Sequence, residues 1–172
     1  MVSRGKHSFR YGRIRARANL SACGGLGTWP AIWMLPETWA YGGWPDSGEI
    51  DIMEAVGYET DKFHGTVHTG AYNHGIGTQK GGSVSKPEHE WHIFEIDWQV
   101  DKIRFAIDGQ VYYTFVPEDV NNSAQWPFNQ DFHLLLNIAV GGSWGCVQGI
   151  DPAAFDGDGQ SMLVDWVRVY SS

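Results

Sequence analysis

The sequence contains few cysteines and no long apolar run, and each shortage excludes a class of protein. Cys23 and Cys146 are its only cysteines. They allow one disulfide but exclude a disulfide framework and a cysteine-based zinc site. No stretch approaches the roughly 20 consecutive apolar residues that a membrane-spanning helix requires. Residues 1–7 also lack the apolar segment of a secretory signal peptide. We therefore expect neither a membrane protein nor a small disulfide-rich protein.

Positive charge is also scarce. Lys and Arg number 12 against 20 Asp and Glu, giving a formal net charge of −8. This balance argues against a protein that binds nucleic acid or an anionic membrane surface. Hydrophobic residues make up 42% of the chain and aromatic residues 14%, which is typical of a folded domain. The 22 glycines favour a fold with many tight turns, and the nine tryptophans suit recognition of a flat ligand.

Hydrophobic residues alternate with a period of two along most of the chain, and no segment shows a convincing helical stripe. The clearest hairpin contains Asp108-Gly109 between two alternating segments, a dipeptide that favours a type I′ turn. Pro30 predicts that its strand lies at an edge or contains a bulge. The almost continuously apolar segment 132–140 predicts a central strand buried on both faces.

Short strands joined by glycine-rich turns predict an all-β sandwich or barrel. No interdomain linker or internal repeat is recognisable, so we expect one domain over residues 1–172. A short helical turn is expected at 152–156. The predicted strands lie at 7–20, 28–35, 48–56, 62–69, 91–98, 103–107, 111–116, 132–140 and 162–170.

Three carboxylates lie within six residues: Glu49, Asp51 and Glu54. On a regular strand Glu49 and Asp51 share one face, whereas Glu54 points to the other. One extra residue in a β-bulge near Ile52-Met53 would bring all three onto one face. The Cα atoms of the two glutamates would then lie on the order of 13 Å apart, and their carboxyl groups roughly 5–6 Å apart. That spacing is typical of a retaining glycosidase, in which one carboxylate attacks the sugar and the other protonates the leaving oxygen.

Asp51, between the two glutamates, is suited to share a proton with Glu49 and to orient it. At least one carboxyl of the cluster should then remain protonated near neutral pH and act as the acid. A calcium site and a solvated acidic strand face are the alternatives. The apolar neighbours Ile50, Ile52 and Met53 argue against the solvated face.

Residues 42–54 read Gly-Gly-Trp-Pro-Asp-Ser-Gly-Glu-Ile-Asp-Ile-Met-Glu. This segment resembles the signature of glycoside hydrolase family 16, in its laminarinase-like branch. Further segments resemble that branch in the same order, so the resemblance covers nearly the whole chain. They lie at 11–14, 29–36, 64–68, 101–105, 136–142 and 164–170.

The resemblance implies a concanavalin A-like β-jelly roll, a sandwich of two curved antiparallel sheets with the substrate cleft on the concave face. It implies endo-hydrolysis of β-1,3-glucan with retention of configuration and no cofactor for the chemistry. The six-residue form that contains Met53 favours this glucan, with mixed-linkage β-1,3-1,4-glucan as a second substrate. By position, Glu49 is similar to the family's nucleophile, Glu54 to its acid/base and Asp51 to the residue that assists the nucleophile.

Aromatic and histidine side chains are candidates for binding the sugar. Trp29, Trp33 and Trp44 are candidate stacking platforms for glucose rings, although tryptophans are also common in protein cores. The resemblance implies that His68 hydrogen-bonds near the acid/base glutamate or the sugar. His64 shares a strand face with His68, but no third metal ligand lies at a familiar spacing.

A structural calcium is a further expectation from the resemblance. Many relatives bind one calcium on the convex side, partly through an aspartate at the position of Asp165 and partly through an N-terminal segment. Residues 156–160 resemble part of a calcium loop but lack its closing glutamate, so we expect a turn there.

Relatives usually carry several strands before the segment that corresponds to residues 9–17, so the chain is expected to be truncated at its N-terminus. Lost strands would expose sheet edges through which two copies could pair as a homo-oligomer. Arg15 stands where relatives commonly carry a glutamate. Because a glucan polymer lies outside the cell, a secreted protein is expected.

Two other functions compete with β-1,3-glucan hydrolysis. A non-catalytic β-glucan-binding module would keep the jelly roll, but such relatives lose the catalytic carboxylates, and all three are present here. An agarase or another galactan hydrolase is the alternative within the enzymes. The expected partner is thus a β-glucan polysaccharide.

Overall fold

The computed structural model describes residues 1–171, which contain ten β-strands and three short helical turns. The helical turns are α1 (Gly142–Gly145) and two 3-10 turns, His74–Ile76 and Pro152–Phe155. The strands are β1 (Gly12–Ala22), β2 (Thr28–Pro36), β3 (Glu49–Glu54), β4 (Lys62–His68), β5 (Lys80–Ser85), β6 (Trp91–Trp98), β7 (Ile103–Ile107), β8 (Gln110–Phe115), β9 (Phe132–Val140) and β10 (Ser161–Tyr170).

The strands form two antiparallel five-stranded sheets, ordered β10-β1-β6-β7-β8 and β5-β4-β3-β2-β9. The predicted all-β jelly-roll sandwich is therefore confirmed. The predicted hairpin joins β7 to β8, where Asp108 and Gly109 have φ angles of 52° and 81°. A type I′ turn requires positive φ at both central residues, which explains the Asp-Gly pair. The acidic strand β3 lies at the centre of the second sheet.

The inward faces of the two sheets pack into one hydrophobic core. On β1, the inward residues Ile14, Ala16 and Ala18 are buried, while the intervening arginines point outward. Burying each large apolar side chain contributes about 1.5–3 kcal/mol, so this core fixes the framework from which the site residues project. The largest buried side chains include Trp98, Trp126, Phe63, Phe105, Phe128 and Phe132.

Strand β9 is an outer strand of its sheet, so the prediction of a central position for residues 132–140 is wrong. The segment before β1 runs beside its first half, with bridges from Val2 to Leu135 and from Phe9 to Phe132. This cover buries the first half of β9, whereas Val140 at its end is 59% exposed. A continuous apolar run indicates that a strand is buried, but it does not distinguish a covered outer strand from a central one.

Of the two alternatives predicted from Pro30, the edge position is wrong, because β2 pairs on both sides, with β3 and with β9. The β2–β3 pairing does contain an irregularity, between Ile32 and Trp33. The register with β9 is regular at Pro30, which lies opposite Ile138. The pairing with β3 begins one residue later, at Ala31, and the carbonyl of Pro30 accepts the backbone N–H of Ala55. Pro30 thus occupies the end of a pairing, where a missing N–H is tolerated.

Arg15 forms an ion pair with Glu95 on the outward face of the first sheet. The Glu95 carboxylate is buried and lies 2.8 Å from the Arg15 Nε and 2.6 Å from the Arg13 Nε. Two guanidinium groups therefore neutralise one carboxylate that is removed from water.

Two further expectations concern cysteines and membrane spans. Cys23 is buried and Cys146 exposed, and neither forms a disulfide. Within residues 1–171, none of the helical segments has the length and apolar character needed to cross a bilayer.

Candidate active site

A bulge in β3 brings the three carboxylates onto the cleft face. Opposite β4, Asp51 pairs with Thr66 and Glu54 with His64, so three steps along β3 match two along β4. The extra residue lies at Ile52-Met53, and both of these side chains are buried in the core. The predicted bulge is confirmed. Core burial of two successive apolar residues forces the side chains before and after them to share the opposite face.

Each glutamate accepts a hydrogen bond from a tryptophan. The Trp44 indole Nε1–H donates to Glu49 Oε2 at 2.9 Å, and the Trp29 indole Nε1–H donates to Glu54 Oε1 at 2.9 Å. The structure thus brings two of the three predicted tryptophans to the carboxylates. A hydrogen bond to an ionised carboxylate favours the charged form.

Trp33, the third predicted tryptophan, contacts a different group. Its indole Nε1–H donates to Asn137 Oδ1 at 2.7 Å, across the β2–β9 pairing. Stacking of sugar on any of the three tryptophans stays a prediction.

His68 lies beside Glu49, opposite it in the β3–β4 pairing. Its Nε2 is 3.3 Å from Asp51 Oδ2 and 3.8 Å from Glu49 Oε1. The close carboxylates of His68 are thus Glu49 and Asp51, and the expected hydrogen bond near Glu54 is not seen within residues 1–171; contact with the sugar stays a prediction. His64 Nε2 lies instead 2.8 Å from Glu59 Oε2.

Burial controls the protonation of this cluster. Burial and the neighbouring Asp51 charge raise the pKa of Glu49 to about 8. Burial raises the pKa of Glu54 to about 7, and burial together with the Glu54 charge raises the pKa of Asp51 well above its usual range. Burial lowers the pKa of His68. Near neutral pH the three carboxyls therefore retain at least one proton, and His68 is neutral.

The carboxylates open into a cleft of about 540 Å³. Sequence reasoning missed several of its lining side chains, among them the rings of His74 and Trp144. The Trp144 ring lies 5.6 Å from that of Trp29, edge to face. Both residues lie in glycine-containing loops whose position the strand periodicity does not predict; for Trp144 the only local signal is a tryptophan directly after a strand end. The other lining residues are Trp29, Glu49, Glu54, His64, Thr66, His68, Gln79, Gly81, Gly82, Ser83 and Ser143.

The predicted calcium ligand has a cation as its neighbour. Asp165 Oδ2 accepts from Arg17 Nη1 at 2.7 Å, and this pairing does not fit a calcium ligand set. Within residues 1–171, the one cluster of three acidic, histidine or cysteine side chains with mutually close ligand atoms is Glu49, Asp51 and His68. The expectation of calcium at Asp165 stays a prediction without a ligand set around it.

The chain is similar to a known protein family and to several characterised proteins. The sequence profile described as "Glycosyl hydrolases family 16" matches residues 1–168. The chain is 51% identical over 178 aligned residues to a beta-glucanase of Rhodothermus marinus, covering 99% of this chain and 60% of the relative. It is 39% identical to a keratan-sulfate endo-1,4-beta-galactosidase of Sphingobacterium multivorum, covering 98% of this chain and 38% of that protein.

Solved structures agree with the sequence relatives. The X-ray structure of the laminarinase from Rhodothermus marinus superimposes with a TM-score of 0.92 at 51% identity, covering 99% of this chain and 69% of that one. The chain thus spans 60% and 38% of the two curated relatives named above. On the profile match and these identities, the chain belongs to glycosyl hydrolase family 16.

Proposed function

We propose that this protein hydrolyses internal β-1,3 linkages of β-glucan with retention of configuration. The observation that carries the proposal is the β3 bulge, because it directs both Glu49 and Glu54 into the same cleft. Each of these carboxylates accepts a hydrogen bond from an indole N–H. Membership of family 16 and the likeness to the Rhodothermus marinus beta-glucanase support the substrate class.

In this mechanism the ionised Glu49 carboxylate attacks the anomeric carbon, while the protonated Glu54 carboxyl gives its proton to the glycosidic oxygen. The bond from the anomeric carbon to the leaving oxygen breaks, and a glycosyl ester on Glu49 forms. Glu54, now ionised, takes a proton from a water molecule that attacks the same carbon and releases Glu49. Retention follows from the two successive inversions.

Asp51 and Trp44 prepare Glu49 for attack. Asp51 is the most deeply buried member of the cluster, and burial with the Glu54 charge raises its pKa well above its usual range, so it holds a proton that it shares with Glu49. The Trp44 N–H bonds to the other side of the Glu49 carboxylate. An ionised Asp51 raises the pKa of Glu49, so a proton held on Asp51 removes that charge, while the hydrogen bond from Trp44 lowers the pKa of Glu49. The proton on Asp51 and the Trp44 N–H together favour the ionised form of Glu49 and fix its orientation.

The remaining features of the proposal follow from a polymeric substrate. Mixed-linkage β-1,3-1,4-glucan is the second substrate, and a secreted location suits a polymer outside the cell. A galactan is the competing substrate, because the Sphingobacterium multivorum relative is named a galactosidase. A non-catalytic binding role has no use for three buried carboxylates. Pairing of two copies through sheet edges is a separate proposal for this chain.

Reducing-sugar release from laminarin, with lichenan and agarose in parallel, tests the function. Wild type should act on laminarin first, whereas Glu49→Gln and Glu54→Gln should each lose at least about 1,000-fold in kcat. Glu59→Gln is the matched control, because Glu59 bonds to Lys62 and His64 and does not belong to the cluster. Folded wild type that is inert on all three polymers would refute the proposal.

Rescue of activity by azide distinguishes the proposed nucleophile, Glu49, from the proposed acid/base, Glu54. With an activated aryl glucoside that needs no acid, azide should rescue Glu54→Ala and give a product of retained configuration. Azide should rescue Glu49→Ala with the inverted configuration, because it then replaces the missing nucleophile. The reverse pattern would exchange the two assignments.

A further inference from the structure

The loop between β4 and β5 presents His74 to the cleft from a fixed base. Asn73 is buried, and its side-chain amide donates to the carbonyls of Thr69 and Gly70 at 3.0 and 3.3 Å. The buried Thr69 hydroxyl donates in turn to the Ala124 carbonyl at 2.7 Å. These bonds anchor the residues directly before His74, so the fold determines where its backbone enters the cleft.

The His74 ring touches the two side chains that flank Glu49. Its centroid lies 4.9 Å from that of Trp44, with planes inclined by 37°, and 5.2 Å from that of His68, edge to face. Trp44 donates a hydrogen bond to Glu49, and His68 lies close to both Glu49 and Asp51. One exposed ring therefore connects both neighbours of the proposed nucleophile.

We propose that His74 is a positioning residue, which packs on the Trp44 indole and holds its N–H on Glu49. Trp44 needs such support because it lies in the loop before β3 and is 40% exposed. Aromatic pairs at this separation change a conformational equilibrium by roughly 2- to 10-fold. Loss of the His74 ring should reduce the fraction of Trp44 that donates to Glu49 by that factor. The inference rests on the proposed role of Glu49.

The pH dependence of activity reports this contact. Asp51 and Glu54 on β3, His68 on β4 and His74 in the loop are the titratable groups around Glu49. The hydrogen bond from the Trp44 N–H also acts on Glu49 and lowers its pKa. Loosening Trp44 should therefore move the acid limb of kcat/KM to higher pH. Burial and nearby His68 lower the pKa of His74, so its contact with Trp44 near neutral pH is made by the neutral ring.

Four single variants and one double variant test the proposal on laminarin. His74→Ala should reduce kcat roughly 2- to 10-fold with a smaller change in KM and a raised acid limb. His74→Phe should keep the wild-type profile, because it retains a ring on Trp44. His89→Ala, an exposed histidine between β5 and β6, is the matched control. Trp44→Phe should reproduce the raised acid limb, and His74→Ala should add nothing to it. Three results would overturn the inference: wild-type kinetics in His74→Ala, a loss of kcat in His74→Phe as large as that in His74→Ala, or additive effects when His74→Ala is combined with Trp44→Phe.

A spectroscopic readout separates this inference from the proposed function. The Trp44 indole N–H resonance, assigned by its loss in Trp44→Phe, should move in His74→Ala and stay in place in His74→Phe. An unchanged resonance in His74→Ala overturns the role of His74 even in an active enzyme. Inactive wild type, in contrast, overturns the proposed function and leaves this contact measurable.

Discussion

Glu54→Gln should stabilise the protein at alkaline pH, although under the proposed mechanism it should lose activity. The carboxamide is isosteric and still accepts the Trp29 indole N–H. Burial raises the pKa of Glu54 from the ordinary 4.5 to about 7, so the folded state binds its proton more tightly than the unfolded state. Ionising this group in the fold therefore costs stability as pH rises from 4.5 to 7, and the cost is constant above that.

The magnitude follows from the two pKa values. A difference of this size corresponds to about 3 kcal/mol, since one pKa unit equals about 1.4 kcal/mol. For a domain of 172 residues, 1 kcal/mol shifts Tm by about 2–4 °C. The variant should therefore melt about 6–12 °C higher than wild type at pH 8, with the two proteins converging near pH 4. This figure is an upper bound, because residual hydration of Glu54 lowers the cost.

Thermal unfolding followed by circular dichroism at pH 4, 6 and 8 measures the effect. Glu59→Gln is the control of opposite sign: burial raises its pKa, but hydrogen bonds from Lys62 and His64 outweigh that and lower it. Removing the Glu59 charge should cost up to about 1 kcal/mol at pH 8 and less at pH 4. A Tm difference for Glu54→Gln that is equal at pH 4 and pH 8, or a less stable variant at pH 8, would refute the reasoning.

Three further expectations concern activity and packing. The pH profile of kcat/KM should be bell-shaped with an optimum near neutral pH, because burial raises the pKa values of Glu49 and Glu54 to about 8 and 7; a decline starting near pH 5 would contradict this. Trp29→Phe should move the alkaline limb to higher pH, since it removes the N–H that lowers the pKa of Glu54, and an unmoved limb would exclude that role. Gly65→Ala should cost about 1–3 kcal/mol in denaturant unfolding, because a Cβ there would clash with the Tyr112 hydroxyl and lie 2.6 Å from Phe105 Cδ1, whereas Gly24→Ala meets nothing within 4 Å and should be close to neutral.

The sequence alone determined the fold class and the arrangement of the three carboxylates on β3. Alternation with a period of two depends only on neighbours along one strand, so it survives without tertiary information. The bulge at Ile52-Met53 was predictable from local sequence as well. Only an extra residue there places all three carboxylates on the cleft face and both apolar side chains in the core. Asp108-Gly109 likewise specified its turn through backbone conformation.

Only the tertiary structure decided which strands are neighbours and which side chains meet across them. The central position predicted for residues 132–140 was wrong because the segment at residues 1–9 covers that edge, a contact between distant parts of the chain. The partner of Arg15 and the place of His74 over Trp44 were likewise inaccessible, since loop and strand neighbours far apart in sequence leave no local periodic signal. The raised pKa values depend in the same way on how completely packing removes the carboxyls from water, which no local pattern specifies.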